Sequence, residues 1–324
     1  MGGDAFGGNS NLKPSRIPKA EYESLVQLMN HTLVSIIDIT NIRITMNSID
    51  KPDFGDIDVI ILSTDIQEIL NILQPDESQR KKSDIYHILF HGRQVDIHFV
   101  PTYSLLEYNF IINSFSIVTV IFGKMLYPHN MKLTKTGLYY SFKVGDKKFD
   151  LHLTDDIHLI FRWLSNPDNA LTVGEFIGLQ YRETELVSFF CARSRFYSSN
   201  IFNRLDDVDS KELPKQKEKL KYIIEYSKRN DTEKLPKMEA SDILPFFNKM
   251  EEYELIVLEE TAKMEKLKRF SERFNGTIIG QLTGFKGKEL GDCMKRFPYK
   301  TDEFMDIVLS LDVNAVNDYI KTYI

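Results

Sequence analysis

The sequence predicts an α+β fold: a head made of a mixed sheet with helices, followed by a mostly helical body and tail. Three observations lead there. Short alternating apolar runs crowd the first 153 residues, with amphipathic helical spacings between them. One of those runs, Phe54-Gly55-Asp56-Ile57-Asp58-Val59-Ile60-Ile61-Leu62, opens with two acids one residue apart. From Asp155 onward the apolar period changes from about 2 to about 3.6 residues. The expected divisions are a head over 1–153, a helical body over 154–235 and a helical tail over 236–324.

The elements follow in order. Residues 1–15 are rich in Gly and Asn and read as irregular. Pro18 to Met29 predicts a helix, with proline near its start and Tyr22, Leu25, Val26 and Met29 on one face. Leu33 to Thr45 and Ile57 to Leu62 predict strands. Asp65 to Leu73 predicts a helix with Ile66, Ile69, Leu70 and Leu73 along one side. Asp84 to Phe90 and Val95 to Val100 complete the sheet, which Pro101 closes. Ser104 to Tyr127 is apolar enough to pack beneath it. Leu138 to Val144, a Gly145-Asp146 turn and Phe149 to Leu153 predict a hairpin. Helices are expected at Asp156 to Leu164, Val173 to Leu179, Glu183 to Cys191, Pro214 to Arg229 and Ile243 to Phe274. Asn230 to Lys237, with Pro236, reads as a surface linker.

Composition narrows the function classes. The 324 residues are 42% hydrophobic and 27% charged, ordinary values for a globular chain with several cores. Cys191 and Cys293 give neither a metal spacing nor a disulfide scaffold, so a reducing compartment is the expectation. No apolar run approaches the roughly 20 residues of a membrane span, and Met1 to Phe6 lacks the features of a signal peptide. A soluble chain is expected. The net charge of −6 counts mildly against a nucleic-acid partner. Its distribution softens that, because Lys215, Lys217, Lys219 and Lys221 cluster, as do Lys263, Lys266, Lys268 and Arg269. The competing reading of such clusters is the wet face of a helix.

The acids are the most informative residues. In a strand Asp56 and Asp58 share a face, where they repel each other and lose hydration. A divalent cation resolves both problems, because Mg²⁺ takes hard oxygen ligands. The alternative is a strand end with solvated acids. Gly92-Arg93-Gln94-Val95-Asp96-Ile97-His98-Phe99-Val100 supplies a third acid, Asp96, on a second alternating strand. Two-metal phosphoryl-transfer sites use about three carboxylates around ions roughly 3.5–4 Å apart. Asp56, Asp58 and Asp96 are therefore the candidate catalytic and metal-ligating residues, for two Mg²⁺ ions or for Mn²⁺. His98, on the face of Asp96, offers a metal ligand or base, with a hydrogen-bonded neighbour the favoured reading.

Upstream, Ile44-Thr45-Met46-Asn47-Ser48 ends an apolar run in a small polar turn shortly before Gly55-Asp56-Ile57-Asp58. This arrangement resembles the nucleotidyltransferase superfamily of DNA polymerase β, poly(A) polymerases and CCA-adding enzymes. There a Gly-Ser turn binds triphosphate ahead of an Asp-x-Asp strand, and a third Asp follows on a later strand. Asn47 stands where the usual glycine would, and asparagine tolerates left-handed backbone well. The resemblance implies Asn47, Ser48 and Lys51 as nucleotide-binding residues.

The tail carries a second resemblance. Asn275-Gly276 and Lys286-Gly287-Lys288-Glu289-Leu290-Gly291 are similar to the helical element ending the body of CCA-adding enzymes. With Met1 to Phe6, Arg16-Ile17 and Gly137 to Tyr140, nearly the whole chain resembles a bacteriophage and large-DNA-virus group of CCA-adding-like proteins. That resemblance implies transfer of NMP from ATP, or also CTP, to an RNA 3′ end, with tRNA the favoured acceptor, in a host cytoplasm. The arginine-containing template that selects C and A is not recognisable here, so nucleotidyl transfer is better supported than CCA addition. Arg193, Arg195 and Arg204 flank Phe196-Tyr197-Ser198-Ser199-Asn200, a mixture of cations and rings that stacks single-stranded bases. With Lys286 and Lys288 they are the candidate RNA contacts; packing between helices is the competing reading. Alternatives for function are a template-independent poly(A)-type polymerase, a toxin-like transferase acting on protein or tRNA, and a non-catalytic RNA-binding protein.

Overall fold

Five strands make the sheet that organises the head: β2 (Ile42–Ile44), β4 (Ile57–Leu62), β5 (Glu77–Lys82), β6 (Ile85–Phe90) and β7 (Arg93–Val100). They lie in the order β2-β4-β7-β6-β5. Only β4 and β7 run parallel; the other pairs are antiparallel, so the sheet is mixed. A two-stranded ribbon, β1 (Ile17–Pro18) with β3 (Asp53–Phe54), accompanies it. The computed structural model describes residues 16–47, 51–63, 65–73, 77–82, 85–115, 118–178, 182–196 and 237–324.

Alternation gives the sheet two different faces. Ile57, Val59 and Ile61 of β4, Ile88 and Phe90 of β6, and Val95 and Ile97 of β7 form one buried apolar layer. Helices α1 (Lys19–Val34) and α2 (Ile66–Leu73) cover it with Tyr22, Leu25, Met29, Leu33, Ile69 and Leu73. Each such side chain contributes about 1.5–3 kcal/mol on burial, so this layer can support polar groups on the opposite face. Arg93 ties the two layers together, its Nε and Nη2 donating to Glu21 Oε1 and Oε2 at 2.7 and 2.8 Å. The other face receives α3 (Tyr103–Asn113), which contacts β2, β4 and β7. Helix α4 (Val118–Leu126) follows it and packs on α3 and on Met131–Thr134 instead, so of Ser104 to Tyr127 only the first helix covers this sheet, and the run is two helices rather than one.

A second sheet, β8 (Met131–Thr134), β9 (Gly137–Val144) and β10 (Lys147–Thr154), contains the expected hairpin and one further strand that the sequence pattern does not announce. Helices α5 (Ile157–Leu164), α6 (Val173–Gly178) and α7 (Glu183–Arg193) come next. They pack through Phe122, Phe161, Phe176 and Phe190. Chain contacts divide the molecule into two compact units, Met1–Phe142 with Asp150–Lys249, and Lys143–Phe149 with Met250–Ile324. The second unit is helical apart from its hairpin tip. Its core gathers Phe270, Phe274, Ile279, Phe297, Phe304 and Val308. The architecture is thus a mixed-sheet head with a helical C-terminal region, as the sequence predicts. Among the described residues, no helix is long and apolar enough to cross a membrane.

Two expected elements are corrected. Leu33 to Thr45 is not a strand: α1 continues to Val34, because Leu25, Met29 and Leu33 recur every four residues on its buried face. A 3₁₀ turn over Ile39–Asn41 then precedes the short β2. Ile243 to Phe274 is not one helix either. Pro245 lies in a 3₁₀ turn, Leu244–Phe247, and Asn248 adopts left-handed φ, so the long helix begins at Met250 and ends at Arg273. Strand β5, rich in polar residues, is an addition to the expected set.

Candidate active site

Register brings the acids together. In the parallel pairing of β4 with β7, Asp58 stands opposite Asp96 and Ile60 opposite His98. Asp58 and Asp96 therefore leave the same face, and Asp56, two residues before Asp58, joins them. Each of Asp56, Asp58 and Asp96 offers an oxygen within 4.8 Å of the others. All three side chains are partly buried, while Ile57, Val59 and Ile97 anchor the opposite face.

The electrostatics show charge that the protein does not neutralise. Burial pushes the Asp56 carboxyl up to about 7, reinforced by the negative charges of Asp58 and Asp96 and opposed by Lys51. Asp96 is raised by burial and by Asp58, against the lowering effect of hydrogen bonds from Gln94 and His87. Among the described residues the ion-pair partners of Asp58 and Asp96 are both histidines, and no lysine or arginine forms an ion pair with any of the three acids. Converging hard oxygen donors with uncompensated negative charge fit a divalent cation.

Two histidines and a glutamine frame the carboxylates. His87 of β6 faces Asp96 in the antiparallel register, and its Nδ1 lies 2.7 Å from Asp96 Oδ1. Gln94, two residues before Asp96 on the same strand face, donates its Nε2 to the same oxygen at 2.8 Å. His98 Nε2 lies 3.4 Å from Asp58 Oδ1, the neighbouring role expected of it. Sequence patterning alone misses His87 and Gln94. The signal that points to His87 is the two-residue turn His91-Gly92, both with positive φ. Such a turn fixes the hairpin register and hence the partner of Asp96.

The turn after β2 lies at the acid-bearing end of the sheet. Thr45 N–H donates to Asp58 O at 3.0 Å, extending the β2–β4 ladder to this point. Asn47 donates to the Tyr22 hydroxyl at 2.9 Å and accepts from Lys51 Nζ at 3.2 Å. Tyr22 stacks on Phe54 at 3.9 Å, and Lys51 lies over the Phe54 ring at 4.8 Å. The Tyr22 hydroxyl is pushed up by burial and then by Asp58 and Asp56, so this polar cluster feels the acids. Ser48, the third candidate of the turn, lies outside the described residues.

The candidate RNA contacts differ in how the protein engages them. Arg193 pairs with Glu175 at 2.8 Å and lies over Phe189. Arg195 stacks on Trp163 at 3.9 Å, where burial lowers its pKa. Arg204 lies outside the described residues, as do Lys215, Lys217, Lys219 and Lys221. In the second unit Lys286 is the N-cap of the helix Gly287–Met294, and both it and Lys288 are exposed.

No family model matches the chain, and no curated protein matches it. Among solved structures, a ternary gap complex of Leishmania infantum polymerase beta shares 16% identity with a TM-score of 0.32, over 40% of this chain and 52% of that one. A ternary P/T complex of the same polymerase shares 14% with a TM-score of 0.32, over 41% and 62%. The chain spans less than two thirds of either. A likeness this weak carries no weight for the site, whose chemistry rests on its own geometry.

Proposed function

We propose that the protein is a metal-dependent nucleotidyltransferase that moves an NMP from an NTP onto an RNA 3′ end, with tRNA the favoured acceptor. The observation that carries this reading is the carboxylate triad on adjacent strands, with ligand oxygens within 4.8 Å of one another and the Asn47 turn at the same end of the sheet. Asp56, Asp58 and Asp96 would hold the divalent ions, Mg²⁺ or Mn²⁺. Such ions, when bound, offset charge on the transferring phosphoryl group and make the acceptor hydroxyl easier to ionise.

The remaining roles belong to the chain itself. Lys51, whose charge already acts on Asp56, offers a cation for a triphosphate, and Asn47 positions it by accepting from its Nζ. Ser48 joins them from the motif. ATP, or also CTP, is the proposed donor. Lys286 and Lys288, exposed beside a helix N-terminus, are suited to phosphates of the acceptor. Arg193 and Arg195 contribute to that role less directly, because each is already engaged with protein groups.

The test is incubation of purified protein with Mg²⁺, each labelled NTP separately, and tRNA lacking its 3′ end. Extension by CMP and AMP supports the tRNA reading, and runs of AMP on any RNA support a poly(A)-type polymerase. Label transferred to protein supports a toxin-like transferase. No transfer with any NTP or acceptor, in Mg²⁺ or Mn²⁺, contradicts the enzymatic reading.

A further inference from the structure

We propose that His87 and Gln94 are positioning residues, which together occupy one oxygen of Asp96 and set the orientation in which its other oxygen meets a cation. The inference rests on the metal reading above. Both side chains are almost wholly buried, His87 at 5% and Gln94 at 1% exposure. They reach Asp96 from different directions in the sheet: His87 across the strand pair, Gln94 along the strand. Yet they converge on the same atom, Oδ1, at 2.7 and 2.8 Å. Among the described residues no hydrogen bond reaches Oδ2 of Asp96. Two donors on one oxygen hold the carboxylate in a fixed plane and leave the second oxygen for a ligand.

The state of His87 follows from its surroundings. Its Nε2 is buried with no hydrogen-bond partner among the described residues. Placing the ring proton on Nδ1 directs the donor at Asp96 and avoids a buried orphan N–H. His87 then donates from Nδ1 to Asp96 Oδ1, which orients the carboxylate. Neither side chain is what a stable sheet requires here. An apolar residue at either position would avoid burying polar atoms in the sheet, since such burial costs stability unless partners are found. Groups holding a metal ligand from behind commonly set metal affinity about 10–100-fold.

The experiment measures Mn²⁺ binding by electron paramagnetic resonance on the full chain, with no substrate. Wild type is compared with His87→Phe, Gln94→Leu, His87→Asn and Asp58→Asn. Expected are saturable binding in wild type and affinity reduced about 10–100-fold in His87→Phe and Gln94→Leu, with an altered bound-Mn²⁺ line shape. His87→Asn, whose amide N–H can stand where Nδ1 stood, restores most of the affinity and the wild-type line shape. If His87→Phe does not fold, Gln94→Leu and His87→Asn decide. Wild-type affinity and line shape in both His87→Phe and Gln94→Leu, with binding lost in Asp58→Asn, would overturn the positioning role and leave the metal site standing. No saturable binding in wild type would overturn both.

Discussion

Acidic side chains at the head triad and on the second unit are treated in opposite ways. In the second unit they are exposed and paired: Asp292 with Lys295 at 2.9 Å, Asp318 with Lys321 at 2.9 Å, Asp306 with Lys266 at 2.7 Å. Glu260, between Lys263 and Lys147, is held below its ordinary pKa by those hydrogen bonds. In the head, Asp56 is pushed up to about 7 by burial and by its neighbouring acids, and Asp96 is raised as well. Paired surface acids describe a solvated helical face and contribute little. Buried acids that repel one another destabilise the fold, so their presence at one spot points to something they do. The difference separates acids that belong to the scaffold from acids that belong to a site.

The largest effect should come from deleting the head acids. Asp56→Ala or Asp58→Ala is expected to lower NMP incorporation at least about a hundredfold to a thousandfold. The melting temperature should stay the same or rise, because the repulsion among the three carboxylates is relieved. Asp306→Ala, an acid of the second unit, should leave incorporation unchanged in the same assay. Equal losses in all three variants would erase the distinction between the units.

A pH titration of stability sharpens the same comparison. The Asp56 carboxyl binds its proton more tightly in the folded metal-free protein than in the unfolded chain, whose pKa is about 3.9. Where the folded state binds more protons, stability falls as pH rises. The metal-free protein is therefore expected to lose up to about 4 kcal/mol between about pH 4 and pH 8 through this group. Excess Mg²⁺ should reduce the loss, and Asp56→Asn should flatten it. Urea melts across that range, with and without Mg²⁺, provide the check. A stability rising steadily from pH 4 to pH 8 would mean that the acids are compensated after all.

How much of this is legible in the sequence depends on distance along the chain. Period-two alternation places Asp56 with Asp58, and Asp96 on a second strand of the same type, without reference to the rest of the fold. Whether Asp96 faces Asp58 depends on β4 pairing in parallel with β7, a long-range fact that alternation only permits. His87 is harder, because its role depends on the register set by the His91-Gly92 turn. The strand expected at Leu33 to Thr45 fails for a related reason: β-branched residues suggest a strand, but the four-residue spacing onto Leu33 belongs to the helix. Pro245 is visible as a helix breaker and is enough to divide Ile243 to Phe274. Arg195 offers a cation beside aromatic residues, but nothing local in the sequence shows that Trp163 claims its guanidinium.

Smaller effects are expected from the cations of the second unit. Lys286→Ala with Lys288→Ala should lower the log–log salt slope of RNA binding by about two units, one for each phosphate no longer neutralised. Filter binding across a salt series measures this, and an unchanged slope would place the acceptor elsewhere. Smallest of all, Asp292→Ala, which removes an exposed pair, should leave the melting temperature without measurable change in thermal denaturation.

The central claim, that the three head carboxylates form a divalent-cation site, is tested most directly by titrating Mg²⁺ calorimetrically near pH 7 in two buffers of different ionisation enthalpy. Cation binding requires ionised carboxylates and so releases protons from any that hold them. With Asp56 pushed up to about 7, the account predicts saturable binding with measurable proton release at pH 7. Release should vanish at pH 9, and binding should be lost in Asp58→Asn. Absence of saturable binding, or binding in Asp58→Asn indistinguishable from wild type, would contradict it.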